Sequence, residues 1–203
     1  MRFGYADPPY PGLARRCYDN AEVDHAELVA RLEVECPDGW ALSTSSGGLR
    51  TVLPLCPPDV RVSAFVRGER RCASMRARDS WEALILRGGR PRRREPTEPS
   101  SNVLDIRGRH RTHPGSLVGM KPPEFAAWLF DQLGALAGDQ LIDYFPGSGA
   151  IGRAWALFQG AEASWLEALR VASAGGTRPE VLRVPPASAR VAGVTPDSTG
   201  GDA

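Results

Sequence analysis

A mostly parallel α/β sheet is the fold class that the sequence predicts, from two strand ends and the segments between them. The first strand is a short apolar run, Phe3 to Ala6, which stops at Asp7-Pro8-Pro9-Tyr10. Prolines lack an N–H donor and cannot continue a sheet ladder. The second strand end lies within residues 139–158, where a strand, a glycine-rich turn and a helix follow one another. Alternation of strand and helix patterns indicates a parallel sheet, and we expect about five strands, one of them antiparallel.

The elements between these two strand ends are assigned from hydrophobic periodicity. Further strands are predicted at residues 39–45, 60–66, 81–86 and 139–145, with a short strand or extended piece at 103–106. Helices are predicted at residues 24–36, 49–56, 121–134 and 153–158. Asp24 is the expected N-cap of the first helix, because Glu27 follows it at capping-box spacing. Gly138 is the expected stop after the third helix.

Length and composition indicate one domain with a disordered tail. The chain has 203 residues, of which 42% are hydrophobic, enough for a globular core. We assign residues 1–170 to the folded domain, with a basic loop at 87–113 inserted in it. Residues 171–203 are rich in small residues and proline and are expected to be a disordered tail. The four cysteines show no metal-binding spacing, and no leader or membrane span is recognisable, so a soluble cytoplasmic protein is expected.

The basic loop is the segment with a nucleic-acid signal. The formal net charge of the chain is only +1, so bulk charge does not indicate a polyanionic partner. Arginine clusters, however, neutralise and grip backbone phosphates. A solvated loop is the plain alternative. The candidate phosphate contacts are Arg92, Arg93, Arg94, Arg107, Arg109 and Arg111.

The turn after the first strand presents groups that suit a planar amine. In open α/β sheets, ligands bind just outside the carboxyl ends of the strands. The Asp7 carboxylate and the Pro8 carbonyl can each accept one hydrogen of an exocyclic amino group, while the Tyr10 ring can stack on a base. By itself, the motif is also typical of a proline-rich turn at a strand end, with no binding role.

The glycine-rich turn is a second candidate site. Its residues are Asp143-x-Phe145-Pro146-Gly147-Ser148-Gly149, directly before a helix. Glycines allow close backbone approach, and a helix N-terminus offers free N–H groups. The spacing of Gly147, Gly149 and Gly152 also fits a dinucleotide fingerprint. A carboxylate at the strand end repels a pyrophosphate but suits a ligand that carries an ammonium group.

Both motifs resemble those of one family. Asp7-Pro8-Pro9-Tyr10 resembles the catalytic motif of the S-adenosylmethionine-dependent amino-methyltransferases, chiefly the DNA adenine-N6 enzymes. The segment from Asp143 to Gly149 resembles the motif with which that family holds the amino-acid part of the cofactor. Lys121-Pro122 is similar to the Lys-Pro of its cofactor-flanking motif. The order of the three resembles the permuted, beta-type enzymes, especially the compact adenine methylases of phages and actinobacteria.

The resemblance implies a Rossmann-like S-adenosylmethionine-dependent methyltransferase fold, circularly permuted and with a reduced sheet. It implies methyl transfer to adenine N6 in DNA, with S-adenosylmethionine as cofactor and no metal. The host compartment would be the cytoplasm of a bacterium or of a phage-infected cell. The implied catalytic residues are Asp7, Pro8, Pro9 and Tyr10. The implied cofactor residues are Lys121, Pro122, Asp143, Phe145, Pro146, Gly147, Ser148 and Gly149.

The chain departs from this family in two respects. The acidic strand end that takes the cofactor ribose is missing, and Glu162 or Glu167 stays open for that role. We expect no separate target-recognition domain, so readout would fall to residues 67–80, to the basic loop, to a second copy or to a specificity subunit. Three alternatives therefore stay open: an N4-cytosine methylase, a methylase of RNA or of glutamine side chains, and a non-catalytic nucleic-acid-binding relic of the fold.

Overall fold

The computed structural model describes residues 1–12, 14, 22–67, 80–91, 101–107 and 120–160. The strands are β1 (Arg2–Ala6), β2 (Gly39–Ser45), β3 (Arg61–Val66), β4 (Trp81–Gly88), β5 (Val103–Asp105) and β6 (Gln140–Asp143). The helices are α1 (His25–Glu35), α2 (Leu49–Val52), α3 (Pro123–Leu133) and α4 (150–160).

The strands form one sheet in the order β5-β3-β4-β2-β1-β6. Among the described strands, β4 alone runs antiparallel to its neighbours, β2 and β3, which confirms the prediction of one antiparallel strand. The described residues contribute six strands to the sheet, where about five are predicted. The additional strand is the short piece near residue 103, which pairs in parallel with β3. The Ala64 N–H donates to the Asn102 carbonyl and the Ile106 N–H to the Val66 carbonyl, at 2.8 and 2.9 Å.

Several element ends differ from their predicted positions because proline and glycine act locally. The helix expected at 49–56 is split into α2 and a 3-10 turn, Leu53–Leu55, which contains Pro54. Helix α3 spans Pro123–Leu133, within the predicted 121–134, but its C-cap is Gly134 and not the expected Gly138. Gly134 has φ 64°, and its N–H caps the carbonyls of Phe130 and Asp131. A Cβ there would lie 2.3 Å from the Arg90 carbonyl oxygen, so both backbone angle and space require glycine.

Helix α1 begins and ends where the sequence predicts. The Asp24 carboxylate accepts hydrogen bonds from the N–H groups of Ala26 and Glu27 at 2.9 and 3.0 Å, as an N-cap does. The helix then buries one stripe, Leu28, Val29 and Leu32, against the sheet.

The sheet separates two apolar layers. Phe3 and Tyr5 of β1 face α3 and α4, while Ala6 faces α1. Gly4 also lies on the α1 face, where a Cβ would lie 2.7 Å from Cys36 Sγ. This alternation places the residue after Ala6, which is Asp7, on the α3 side. Within the described ranges, no helix is both long and apolar enough to cross a bilayer.

The contact of α3 with the sheet gives a stability prediction. Leu129 is fully buried in that layer, so Leu129→Ala removes apolar contacts and leaves a cavity. We expect it to lower the free energy of unfolding by about 2 to 5 kcal/mol, measured by urea denaturation. Val34→Ala, at a side chain that is 81% exposed, is the control and should change it by less than about 0.5 kcal/mol. Equal effects of the two substitutions would contradict the packing described here.

Candidate active site

The first part of the site is the proline turn at the carboxyl end of β1. Strand β1 lies between β2 and β6 and is parallel to both. Pro8, buried directly after Asp7, ends the strand because it has no N–H to donate. The chain then turns back, so that the Tyr10 hydroxyl donates to Asp7 Oδ1 over 3.4 Å. A carboxylate and a phenol ring are thus held together at the strand end.

Lys121 is the centre of the site. Its Nζ lies 2.9 Å from each carboxylate oxygen of Asp7, 3.0 Å from Glu82 Oε2 and 3.2 Å from the Tyr10 hydroxyl. Pro122 is extended (φ −74°, ψ 160°) just before α3, which places Lys121 at the end of that helix nearest the sheet edge. Only 6% of its side chain is exposed, and the ammonium lies 5.5 Å from the centre of the Phe125 ring.

Glu82 is a site residue that the sequence analysis missed. It is the second residue of β4, and 4% of its side chain is exposed. Its other carboxylate oxygen forms an ion pair with the Arg67 guanidinium. The available signal is that Glu82 is the only charged residue in the apolar run Trp81–Leu86. Asp7, Lys121, Glu82 and Arg67 therefore form a row of alternating charges.

The charge states in this row follow from their neighbours. Burial alone lowers the pKa of Lys121, but the adjacent carboxylate of Asp7, with Tyr5, Tyr10 and Glu82, raises the net pKa well above its ordinary value. Burial raises the pKa of Glu82, yet Lys121 and Arg67 hold its net pKa below the ordinary value. For Asp7, burial raises the net pKa above its ordinary value, although the Lys121 ammonium opposes the shift. Lys121 is thus a lasting cation and a poor proton acceptor.

A buried hydrogen bond supports this group from below. The Tyr5 hydroxyl and Ser43 Oγ are 3.0 Å apart, on the neighbouring strands β1 and β2. The Tyr5 ring also packs on Phe125, with ring centres 5.9 Å apart. Burial, followed by the Asp7 charge, raises the pKa of Tyr5. This phenol therefore stays neutral and has a structural role beneath the charged groups.

The second part of the site is the glycine-rich turn after β6. Asp143 pairs with Tyr5 across the sheet, and the Tyr144 N–H donates to the Tyr5 carbonyl at 2.9 Å. The turn therefore begins directly beside the end of β1. Gly147 and Gly149 have φ 47° and 71°, angles that glycine adopts without cost. Helix α4 follows the turn at once, so its free N–H groups lie at the same sheet edge.

Asp143 carries an unusual charge state. Burial raises the pKa of its carboxyl to about 6, with the Phe145 N–H opposing the shift and the Asp7 charge adding to it. The Phe145 N–H lies 3.3 Å from Asp143 Oδ1. Since an adjacent cation would lower this pKa, the carboxylate favours a positively charged ligand.

Tyr144 anchors the turn to α1. Its hydroxyl donates to Glu35 Oε2 at 2.7 Å, and the Arg31 guanidinium lies 5.3 Å from its ring centre. These partners are more than a hundred residues away in sequence, and no local pattern indicates them.

The structure brings most of the predicted site residues to one edge of the sheet. Asp7 to Tyr10 and Lys121 lie together, and the turn from Asp143 to Gly149 is next to them. Arg107 follows β5 at the same edge, four strand spacings or about 19 Å away, with its guanidinium paired to Asp105. Several predicted residues lie outside the described part of the chain. They are the phosphate contacts Arg92, Arg93, Arg94, Arg109 and Arg111, the ribose candidates Glu162 and Glu167, and residues 68–79 and 171–203. In the described part of the chain, no group of three metal-ligating side chains is present.

Comparisons with known proteins identify the fold. No protein-family model matches the chain, and no curated protein matches it. The crystal structure of the M1.HpyAVI–SAM complex is similar, with a TM-score of 0.53 at 14% identity, over 77% of each chain. The structure of M1.HpyAVI alone gives 0.48 at 16% identity, over 77% of this chain and 76% of the other. The mixed α/β architecture with a mostly parallel sheet matches the S-adenosylmethionine-dependent methyltransferase fold, as the sequence predicts.

The raised pKa of Asp143 gives a pH-dependent prediction for the ligand-free protein. Its folded pKa, about 6, exceeds the ordinary value of 3.8, so ionisation costs the folded state and stability is lost as pH rises between these values. Asp143→Asn should therefore unfold less readily than wild type above pH 7, by about 1 to 2 kcal/mol. The gain should vanish below about pH 4.

Urea denaturation at several pH values measures this difference. Asp59→Asn is the matched control, because the Arg87 guanidinium lowers the pKa of Asp59 and its replacement should not stabilise the protein at any pH. An Asp143→Asn effect that is independent of pH would contradict the assignment.

Proposed function

We propose that the protein is an S-adenosylmethionine-dependent methyltransferase that modifies adenine N6 in DNA. The observation that carries the proposal is the pairing of β1 with β6. It sets an amine-accepting carboxylate, Asp7, directly beside a glycine-rich turn and helix N-terminus suited to the cofactor. The shared fold with M1.HpyAVI, which was solved with SAM, supports the same cofactor here. The circularly permuted order of the motifs is part of this proposal.

The acceptor groups fit an exocyclic amine. Its two hydrogens would be received by the Asp7 carboxylate and the Pro8 carbonyl, with the Tyr10 ring against the base. A base must leave the duplex stack to reach such a pocket, at a cost of a few kcal/mol. The N6 lone pair is delocalised into the purine ring, and hydrogen bonds to both N–H groups localise it by favouring a pyramidal nitrogen. Asp7 thus acts as acceptor and orienter.

Lys121 and Glu82 would control the availability of Asp7. In the described structure, Lys121 contacts both Asp7 oxygens and one Glu82 oxygen. An incoming amino group competes for the Asp7 oxygens, and Glu82 offers Lys121 a second carboxylate at the same distance range. The ammonium can therefore move toward Glu82 without losing its charge partner. Its raised pKa means that it does not take the amine proton.

The cofactor residues would be Asp143 and the turn that follows it. The Asp143 carboxylate is suited to the ammonium group of the methionine part, while the turn amides and the α4 N-terminus are suited to polar acceptors. S-adenosylmethionine supplies an electrophilic methyl group whose leaving group is a neutral thioether, so the protein needs mainly to align the two reactants. The amine would gain the methyl group and a positive charge as the neutral thioether leaves, and the N6 proton that is hydrogen-bonded to Asp7 would then pass through that carboxylate to solvent.

DNA contact is assigned to the basic loop. Arg107 lies at the same sheet edge as Asp7, about 19 Å away, which is several nucleotide spacings along a backbone. Arg92, Arg93, Arg94, Arg109 and Arg111 are proposed to extend this contact. Phosphate contacts of this kind position the duplex and carry no sequence information by themselves.

The direct test is incubation with tritiated S-adenosylmethionine and unmethylated DNA, followed by digestion to nucleosides. We expect label in N6-methyladenine for wild type and none above background for Asp7→Asn or Asp7→Ala, while both variants retain cofactor binding by calorimetry. Asp59→Asn, at the opposite edge of the sheet, is the control and should be fully active. Label in N4-methylcytosine would show that cytosine, and not adenine, is the methylated base. Label in no base, despite cofactor binding, would indicate a non-catalytic protein.

Glu82→Gln tests the part played by the second carboxylate. Gln keeps the shape but removes the charge, so Asp7 holds Lys121 more tightly and is less available to the amine. We expect kcat to fall about 10- to 100-fold, with the cofactor dissociation constant unchanged within about twofold. Glu27→Gln, on the exposed side of α1, is the matched control. A full-activity Glu82→Gln enzyme would refute this role.

A further inference from the structure

Arg153 is a charged side chain that the site described so far does not use. It lies in the first turn of α4, yet its side chain runs back along the glycine-rich turn, where Nη1 donates to the Ser148 carbonyl at 2.8 Å. A Cβ on Gly149 would lie 2.9 Å from this same Nη1. Gly149 is favoured by its backbone angle, and the guanidinium packs against the space that its missing side chain leaves open.

The Arg153 guanidinium lies where an anionic partner would be stabilising. The N-terminal end of a helix carries a partial positive charge and favours negative groups, so a guanidinium in the first turn is electrostatically unfavourable. Within the described ranges, no carboxylate forms an ion pair with Arg153. Its Nε is buried and has no hydrogen-bond partner there. A buried N–H of a charged group without an acceptor is costly, and the one described partner of the guanidinium, the neutral Ser148 carbonyl, leaves its charge uncompensated.

The turn thus lies between two opposite charges. Asp143 precedes it and, with a pKa raised by burial, favours a cation. Arg153 follows it and favours an anion. The other residues in the first helical turn of α4 are Ala150, Ile151 and Gly152, whose side chains have no donor, so Arg153 supplies the side-chain donors of this helical turn. An α-amino acid zwitterion carries the complementary pair of charges, an ammonium and a carboxylate.

We propose that Arg153 receives the carboxylate of the methionine part of S-adenosylmethionine, while it braces the turn through the Ser148 carbonyl. The assignment rests on the proposed function, because it specifies how that cofactor is held. It makes the amino-acid end of the ligand, and not only its adenosine, a determinant of affinity.

Two ligands separate this role from simple bracing of the turn. S-adenosylmethionine and its decarboxylated analogue differ only in the carboxylate, and calorimetry on the full chain measures both. We expect wild type to bind the analogue about 10- to 100-fold more weakly. Arg153→Met should weaken S-adenosylmethionine by a similar factor and change the analogue by less than about threefold. Arg153→Lys should restore part of the loss, and Arg50→Met, on exposed α2, should bind both ligands as wild type does.

Each other outcome has a defined meaning. Equal loss of both ligands in Arg153→Met would show that the residue only braces the turn, and unchanged S-adenosylmethionine affinity would show that it does neither. Equal affinity of wild type for the two ligands would overturn the assignment without any variant, even if Arg153→Met does not fold. Binding of neither ligand by wild type would instead refute the proposed function itself.

Discussion

The buried ammonium of Lys121 is the interaction on which the arrangement of this site depends. It joins three parts of the fold: the end of β1 through Asp7, the start of β4 through Glu82, and the entrance to α3, which it precedes. A buried charge without partners is strongly destabilising, whereas a buried charge with well-placed partners is tolerated. Because each of the three charges needs the others, the polar edge of the sheet and the position of α3 fix one another.

Packing carries this constraint into the core. Phe125, in the first turn of α3, lies against the Lys121 ammonium, the Tyr5 ring and the Phe65 ring. One aromatic side chain thus connects the polar site to the apolar layer between α3 and the sheet. A change in how α3 sits on the sheet would move Lys121 relative to Asp7, so core packing and the proposed chemistry are mechanically linked.

The sequence predicts well what is encoded locally and poorly what depends on distant pairing. The strand ends at Asp7 and Asp143 follow from proline and glycine, and the N-cap at Asp24 follows from its own side chain. Glu82 was missed because its role arises from antiparallel register, which sets it opposite Ser45, and from a lysine 39 residues away. Gly138 rather than Gly134 was named as the helix stop because the two glycines are equally good local signals. What separates them is the approach of the Arg90 carbonyl, a tertiary contact.

The two acidic strand ends, Asp7 and Asp143, are neighbours in the sheet but differ in how far other groups compensate their charge. Asp7 already has a cation within 2.9 Å, and its row of alternating charges contains one further carboxylate, Glu82, and a second basic group, Arg67. Asp143 has one backbone N–H at 3.3 Å and a pKa raised to about 6, so its charge is the less compensated of the two. A ligand with an ammonium group gains more at Asp143, whereas a neutral amine that donates hydrogen bonds can share Asp7 with Lys121. This difference in charge compensation, in addition to the motifs, is the reason that the proposed function places the cofactor at β6 and the methyl acceptor at β1.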